Sequence, residues 1–139
     1  MLHTIRQIVG DDEEWRSILR GLNETFWHQT VMGAQIEEYI SQHAGRDLSK
    51  VFDQYLRTTQ IPVLEYKIEG TTLSYRWADV VPGFDMPVEV EVTLTEDGFR
   101  VIHPTESWQT ATLELANPKE FSVDPNYYVI ARKVGGATP

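Results

Sequence analysis

Glu24 and His28 stand four residues apart, a spacing that would put a carboxylate and an imidazole on one helix face, where they can share a metal ion. No third ligand stands at a supporting spacing, so a surface pair without metal is the simpler reading. His103, Ser107 and Asp124 are the residue types of a hydrolytic triad, but the chain has no nucleophile elbow and no glycine-rich oxyanion loop. Asp79 and Asp85 flank a Pro-Gly loop and could offer oxygens to calcium, though no run of oxygen ligands like that of an EF-hand surrounds them. Glu37 and Glu38 are adjacent, so on a helix they point to different azimuths, and a solvated face is expected. Asn23-Glu24-Thr25 matches a glycosylation sequon but falls in mid-helix. Tyr66, Tyr75, Trp77 and Trp108 could line a binding strip on a sheet; their parity mostly matches the apolar face of their strands, which favours the core. There is no cysteine, which excludes disulfides, thiolate metal sites and cysteine nucleophiles. No residue is therefore assigned as catalytic, cofactor-binding or metal-ligating.

The elements that would position these groups change period once. Leu2, Ile5, Ile8 and Val9 have helical spacing, and Gly10 suits a left-handed helix end. Asp11 can cap the next helix, with Glu14 three residues on in a capping-box arrangement. The four carboxylates of residues 11–14 favour its dipole. Trp15, Ile18, Leu19, Leu22 and Phe26 form the stripe of that helix. After a polar break near His28–Gly33, a third helix carries Ile36, Tyr39 and Ile40 and ends at Gly45. Asp47 is a cap for a fourth, whose apolar face is Leu48, Val51, Phe52, Tyr55 and Leu56. Asp53 and Gln54, near its end, are expected to tie the helical segment to the β half of the chain through hydrogen bonds.

From Pro62 onward the text alternates with period two. Leu64, Tyr66 and Ile68 share a face, Gly70 turns, and Leu73, Tyr75 and Trp77 alternate next. VVPGFDMP is a loop. Val88, Val90, Val92 and Leu94 alternate with Glu89, Glu91 and Thr93, and EDG signals a hairpin turn. Phe99 and Val101 lie on the return strand. Trp108, Thr110, Thr112, Leu113 and Leu115 suggest a further strand with a bulge. Phe121 and Val123, then Tyr128 and Ile130 after the DPN turn, complete the set. The expected fold class is α+β: a four-helix segment at residues 1–58, a seven-stranded antiparallel β-sandwich of Ig-like type at 59–134, and a flexible tail at 135–139.

At 139 residues the chain can bury one ordinary core or two small ones in contact. A net charge of −9 repels phosphate backbones and disfavours nucleic acid as a partner. No apolar run approaches the length of a membrane span, and the N-terminus lacks the basic start and small-residue cleavage site of a signal peptide. Composition does not fix the compartment.

The join at residues 45–62 reads GRDLSKVFDQYLRTTQIP. It resembles the stretch "G-x-D-L-x-x-F-F-D-Q-W-L-x-x-x-G-x-P" that ends the catalytic domain of the aminopeptidase N-like gluzincins, a family of zinc metallopeptidases. Gly45, Asp47, Leu48, Phe52, Asp53, Gln54, Leu56 and Pro62 match; Val51, Tyr55 and Gln60 replace phenylalanine, tryptophan and glycine. Upstream, Ile5-Arg6 and Gly10-Asp11 match the family's "L-x-x-L-R-x-x-x-G-D", and Trp15 and Phe26 match its spaced aromatics. Downstream, FDMPVEVEVTL and FSVDPNYYVI are similar to strands of the sandwich that comes next in the family. The resemblance covers residues 1 to about 131.

The resemblance implies a peptidase parent of short bacterial type, with zinc bound upstream through HExxH, a second glutamate and a tyrosine in a YxKG context. No such string occurs here, so this chain is expected to lack zinc and peptidase activity of its own. Its expected partners are the upstream catalytic domain and, through the parent, peptide substrates. Isolated, its exposed helix faces would favour a homo-oligomer. The alternative is a stand-alone adaptor that binds peptides or glycans.

Overall fold

The computed structural model describes residues 1–91, 99–112 and 121–135. Four helices come first: α1 (Leu2–Val9), α2 (Asp12–Thr25), α3 (Gly33–His43) and α4 (Ser49–Arg57). Seven strands come after them: β1 (Val63–Glu69), β2 (Thr72–Ala78), β3 (Val88–Glu91), β4 (Phe99–Ile102), β5 (Gln109–Thr112), β6 (Ser122–Val123) and β7 (Ile130–Lys133). The sequence expectations for Val92, Thr93 and Leu94, the EDG turn, Leu113 and Leu115, and residues 136–139 of the tail lie outside the described residues.

The corner between α1 and α2 arises from local chemistry. Gly10 takes φ +76° and its N–H donates to the Arg6 carbonyl at 3.1 Å, closing α1. Asp11 caps α2 by accepting from the Glu14 N–H at 2.9 Å. Arg6 grips Asp12 with two hydrogen bonds of 2.9 Å, and these hold the Asp12 carboxyl below the usual carboxylate range. At α4 the cap differs from expectation. Leu48 occupies the cap position, and Asp47, one residue earlier, accepts from the Ser49 N–H at 2.9 Å as an Asx turn does.

The apolar stripes are narrower than the spacing suggests. Ile5, Trp15, Ile18, Ile40, Leu48, Val51 and Phe52 are buried, whereas Leu2, Leu19 and Leu56 are exposed. Each exposed residue lies at the margin of its stripe, on the side that no neighbouring element covers.

Helices α2 and α3 approach closely at Gly21, where an added Cβ would overlap the Tyr39 hydroxyl. That ring has little room to yield: it stacks on His43 at 3.9 Å and meets Phe26 edge-on at 5.9 Å. Overpacking of this kind costs about 1–3 kcal/mol, against a gain of about 1 kcal/mol from replacing a helical glycine with alanine. Gly21→Ala is expected to lower the urea midpoint, and Tyr39→Phe in the same chain to restore most of the loss.

The strands form two sheets, ordered β5-β2-β1-β7 and β4-β3-β6. Gly70, at φ +63°, turns β1 into β2. In that hairpin Leu64 pairs with Trp77, Tyr66 with Tyr75 and Ile68 with Leu73, so one face carries all six side chains. Val88, Val90 and Ile102 of the second sheet join the same core, and Tyr66 packs on Phe121 at 4.1 Å. Leu48, Val51 and Phe52 extend this core into the helices without a break.

One pairing departs from the expected all-antiparallel arrangement. β7 runs parallel to β1, with Val63 opposite Ile130 and Tyr66 opposite Lys133. A parallel neighbour needs a crossover rather than a tight turn. The chain makes it by pairing β6 with β3 in the other sheet before returning to β1. The architecture is α+β with four helices and two mostly antiparallel sheets of four and three strands.

Candidate functional site

The sequence candidates are not brought together. Helix α2 stops at Thr25, so Glu24 and His28 do not share a helix face; His28 sits in the following loop at φ +52°, edge-on to Trp27 at 4.6 Å. No hydrogen bond links His103, Ser107 and Asp124 among the described residues. The Ser107 N–H donates to Thr105 Oγ1, and Asp124 Oδ1 accepts from the N–H and Nδ2 of Asn126. Asp79, at φ +55°, lies 3.9 Å from Arg132, whereas Asp85 lines a cleft beside Arg46. Among the described residues no group of three or more His, Asp or Glu side chains could hold a metal ion.

Glu37 is not on a solvated face. It receives both Arg57 Nη2 contacts, at 3.0 and 3.1 Å, while Arg57 Nη1 donates to Asp53 at 2.9 Å. The Glu37–Arg57 pair ties α3 to α4, whereas Asp53 braces Arg57 from one turn earlier on α4 itself and makes no tie to the sheets among the described residues. Tyr75 and Trp77 are buried as the parity indicated, but Trp108 is 43% exposed.

Trp108 belongs to a ladder of charges that sequence reading missed. The Arg76 guanidinium lies 4.9 Å from its ring centroid and the Lys67 ammonium 5.9 Å. Arg76 Nε donates to Glu65 at 2.7 Å, and Arg132 Nη1 to the other oxygen of Glu65 at 3.4 Å. Glu65 is buried although it points away from the main core, because these arginines cover it. The parity that favoured the core for Trp108 does not hold there, and only the pairing of β7 with β1 puts Arg132 beside Glu65.

The join between helices and sheets is the best-built polar feature of the chain. Gln54 is fully buried. Its Nε2 donates to the Gln60 carbonyl at 2.9 Å and the Asp79 carbonyl at 3.1 Å, and its Oε1 accepts from the Val81 N–H at 2.7 Å. One amide thus satisfies backbone groups of the α4–β1 connection and of the loop after β2. Trp77 continues the joint: its Nε1 donates to the Met86 carbonyl at 3.1 Å and its ring meets Phe84 edge-on at 5.3 Å.

A second set of contacts joins α1 and α4 to the segment before β7. The Tyr128 N–H donates to Thr4 Oγ1 at 3.1 Å, His3 Nε2 contacts Asn126 Oδ1 at 2.9 Å, and the Tyr55 hydroxyl donates to the Tyr128 carbonyl at 2.6 Å. Burial first, then the nearby Tyr128, raises the Tyr55 phenol above its ordinary range. Burial, followed by the negative charges of Glu89 and Asp124, pushes Tyr127 up to about 12.

Both phenols are therefore held neutral by the fold. Their contribution to stability is complete below the ordinary phenol pKa of about 10 and is lost as pH rises through the folded-state values. Thermal midpoints are expected to fall steeply above that pH. Tyr55→Phe or Tyr127→Phe should flatten the fall, as read from melting curves across alkaline buffers.

The join also borders a cleft of about 180 Å³ between the α3–α4 turn and the ends of β3 and β4. Its floor includes Leu48, Val51 and Met86, all buried, and its rim includes Arg46, Asp85 and His103, all exposed.

No family model matches the chain. Nor does any curated protein.

Proposed function

We propose that this chain is the scaffold end of a gluzincin-type zinc aminopeptidase: late catalytic-domain helices braced by an Ig-like β-sandwich. The observation that carries this reading is the Gln54 clamp. Gln54 stands inside the 45–62 stretch that resembles the family's helix-to-sandwich join. In this chain its buried amide fixes the angle at which α4 meets the sheets. A joint fastened by three hydrogen bonds to backbone suits a brace. The exposed Leu2, Leu19, Trp27 and Met32 suit helices that pack against a further domain.

The chemistry of the parent would be attack of a zinc-bound water on the first peptide bond of a short peptide. This chain's residues do not fit the metal. His3 contacts Asn126, His43 Nδ1 contacts the Tyr39 carbonyl at 2.9 Å, and His28 and His103 lie on separate loops. No catalytic step is derived through them. A stand-alone peptide- or glycan-binding module is the second reading, favoured by the exposed Trp108 between two cations.

The native gene product, probed in its source cells with an antibody to this chain, is expected several times larger than 16.0 kDa and to carry chelator-sensitive aminopeptidase activity on immunoprecipitation. A native band at 16.0 kDa overturns the scaffold reading. So does an isolated chain that, without zinc, cleaves an aminoacyl anilide at an enzymatic rate.

A further inference from the structure

We propose that the outer edge of β7 accepts an extended acidic peptide as a fifth, antiparallel strand of the four-stranded sheet. Two consecutive carboxylate residues of the peptide would lie against Lys133 and Arg132, and an apolar residue against Ile130. The site is made of this chain's own backbone and does not depend on the peptidase reading.

The edge offers unused ladder groups. Among the described residues β7 pairs only with β1, and all four of its residues are exposed. The N–H groups of Ile130 and Val134 donate inward, to the Pro62 carbonyl at 2.9 Å and the Tyr66 carbonyl at 2.8 Å. Backbone groups alternate in direction along a strand, so those of Ala131 and Lys133 point away from β1. An N–H and a C=O at each of these residues can therefore pair with an added strand. The other sheet edges differ: β6 has two residues, and Arg100 of β4 reaches the Thr112 carbonyl of β5 at 3.4 Å. The entry to β7 is also fixed in advance. The Tyr128 N–H donates to Thr4 Oγ1 and its carbonyl accepts from the Tyr55 hydroxyl. An edge already ordered loses little freedom on binding.

Side chains select the occupant. β7 reads IARK, with two cations and no carboxylate. Arg132 reaches Glu65 at 3.4 Å and Asp79 at 3.9 Å yet stays half-exposed, and Lys133 makes no ion pair among the described residues. Opposite charges set across from each other on neighbouring strands attract, and like charges repel. A second copy of β7 fits poorly on this ground. The register that uses both outward residues of each strand pairs Ala131 with the partner's Lys133, and it sets Arg132 directly against the partner's Arg132. A register centred on Ala131 sets Lys133 against the partner's Val129, and the Val129 N–H is already given to the Tyr127 carbonyl at 3.0 Å. Ile130, 46% exposed on the same face as Arg132, takes an apolar neighbour. In chain order the antiparallel peptide thus reads acidic, acidic, any residue, apolar. A dissociation constant of about 0.1–1 mM is expected, weakening with salt.

The test is a titration of the folded, ¹⁵N-labelled chain with the blocked hexapeptide TEETVT, followed by amide shifts and hydrogen exchange. Without peptide, the Ala131 and Lys133 amides are expected to exchange faster than those of Ile130 and Val134; with it, they should show the largest saturable shifts and slow down. Two control peptides separate the contributions. TKKTVT removes the charge match, and TEETVT N-methylated at its second and fourth residues removes the ladder donors but keeps the carboxylates. Each should bind at least roughly tenfold more weakly. Ala131→Pro removes an outward N–H and no bond to β1, so it should abolish binding with little change in melting temperature. Lys133→Glu should weaken TEETVT by roughly tenfold without touching the backbone, and it decides the matter if the proline variant does not fold. No saturable shift at β7 up to about 5 mM peptide overturns the proposal. Equal binding of the N-methylated peptide overturns it too, since attraction would then act without strand addition. So does a dimer of the peptide-free chain that Ala131→Pro dissociates, since the occupant would then be a second copy.

Discussion

Gln54→Leu is expected to destabilise the chain by about 2–4 kcal/mol, since it deprives the partners of a fully buried amide, one part-buried N–H and two part-buried carbonyls, of their bonds at once. The substitution keeps volume and helix propensity, so the loss reports hydrogen bonding and not packing. Val81 N–H loses an acceptor at 2.7 Å, and the Gln60 and Asp79 carbonyls lose donors at 2.9 and 3.1 Å. Against a total stability of about 5–15 kcal/mol this is a large share, read as a fall of about 2 M in the urea midpoint. Gln54→Glu separates the donor from the acceptor. Its carboxylate can still accept from Val81 but faces two carbonyls, so its folded-state pKa would be raised above the unfolded value. The damage should be full at neutral pH and shrink as pH falls through that raised value, because the protonated acid donates one hydrogen bond. A Gln54→Glu chain equally unstable at acid and neutral pH, relative to the parent sequence at each pH, would contradict this geometry.

Trp77→Ala is the second large effect, about 3–5 kcal/mol, in the range for removing a fully buried aromatic. Trp77 is 2% exposed, and its neighbours cannot collapse easily into the space: Phe84 is held edge-on and Met86 is anchored by the indole N–H. Trp77→Phe isolates the hydrogen bond. It keeps most of the packing, leaves the Met86 carbonyl without its donor and should cost about 1–2 kcal/mol. Fluorescence checks the placement independently. Trp27 and Trp108 are 69% and 43% exposed, so removing Trp77 deletes a buried emitter and should shift the mean emission to the red. An unchanged spectrum with an unchanged urea midpoint would place Trp77 outside the core.

The two substitutions bear on the same joint from different sides, Gln54 through the backbone and Trp77 through packing. Their partners share the loop after β2, which carries Asp79, Val81, Phe84 and Met86. The double variant is therefore expected to lose less than the sum of the singles.

What the amino-acid sequence determined was local. The change from helical to alternating spacing at Pro62 marks where α4 gives way to β1, because each period reflects which side chains share a face. Gly10 and Asp11 set the α1–α2 corner, since a left-handed end and a cap depend on neighbouring residues only. Leu73, Tyr75 and Trp77 were legible as core by parity, and the helical stripes were legible apart from their margins. Tertiary structure decided the rest. β7 joins β1 in parallel because β6 first crosses to the other sheet, a path that alternation does not encode. Phe84 and Met86 are buried within a stretch that reads as a Pro-Gly loop, because α4 and Trp77 close over it. Gln54 finds two of its partners 25 and 27 residues away. Arg46, Asp85 and His103 meet at one cleft from three separate loops. Spacing along a chain carries dihedral and facial information; it carries none about which distant backbone groups will be buried together and need a partner.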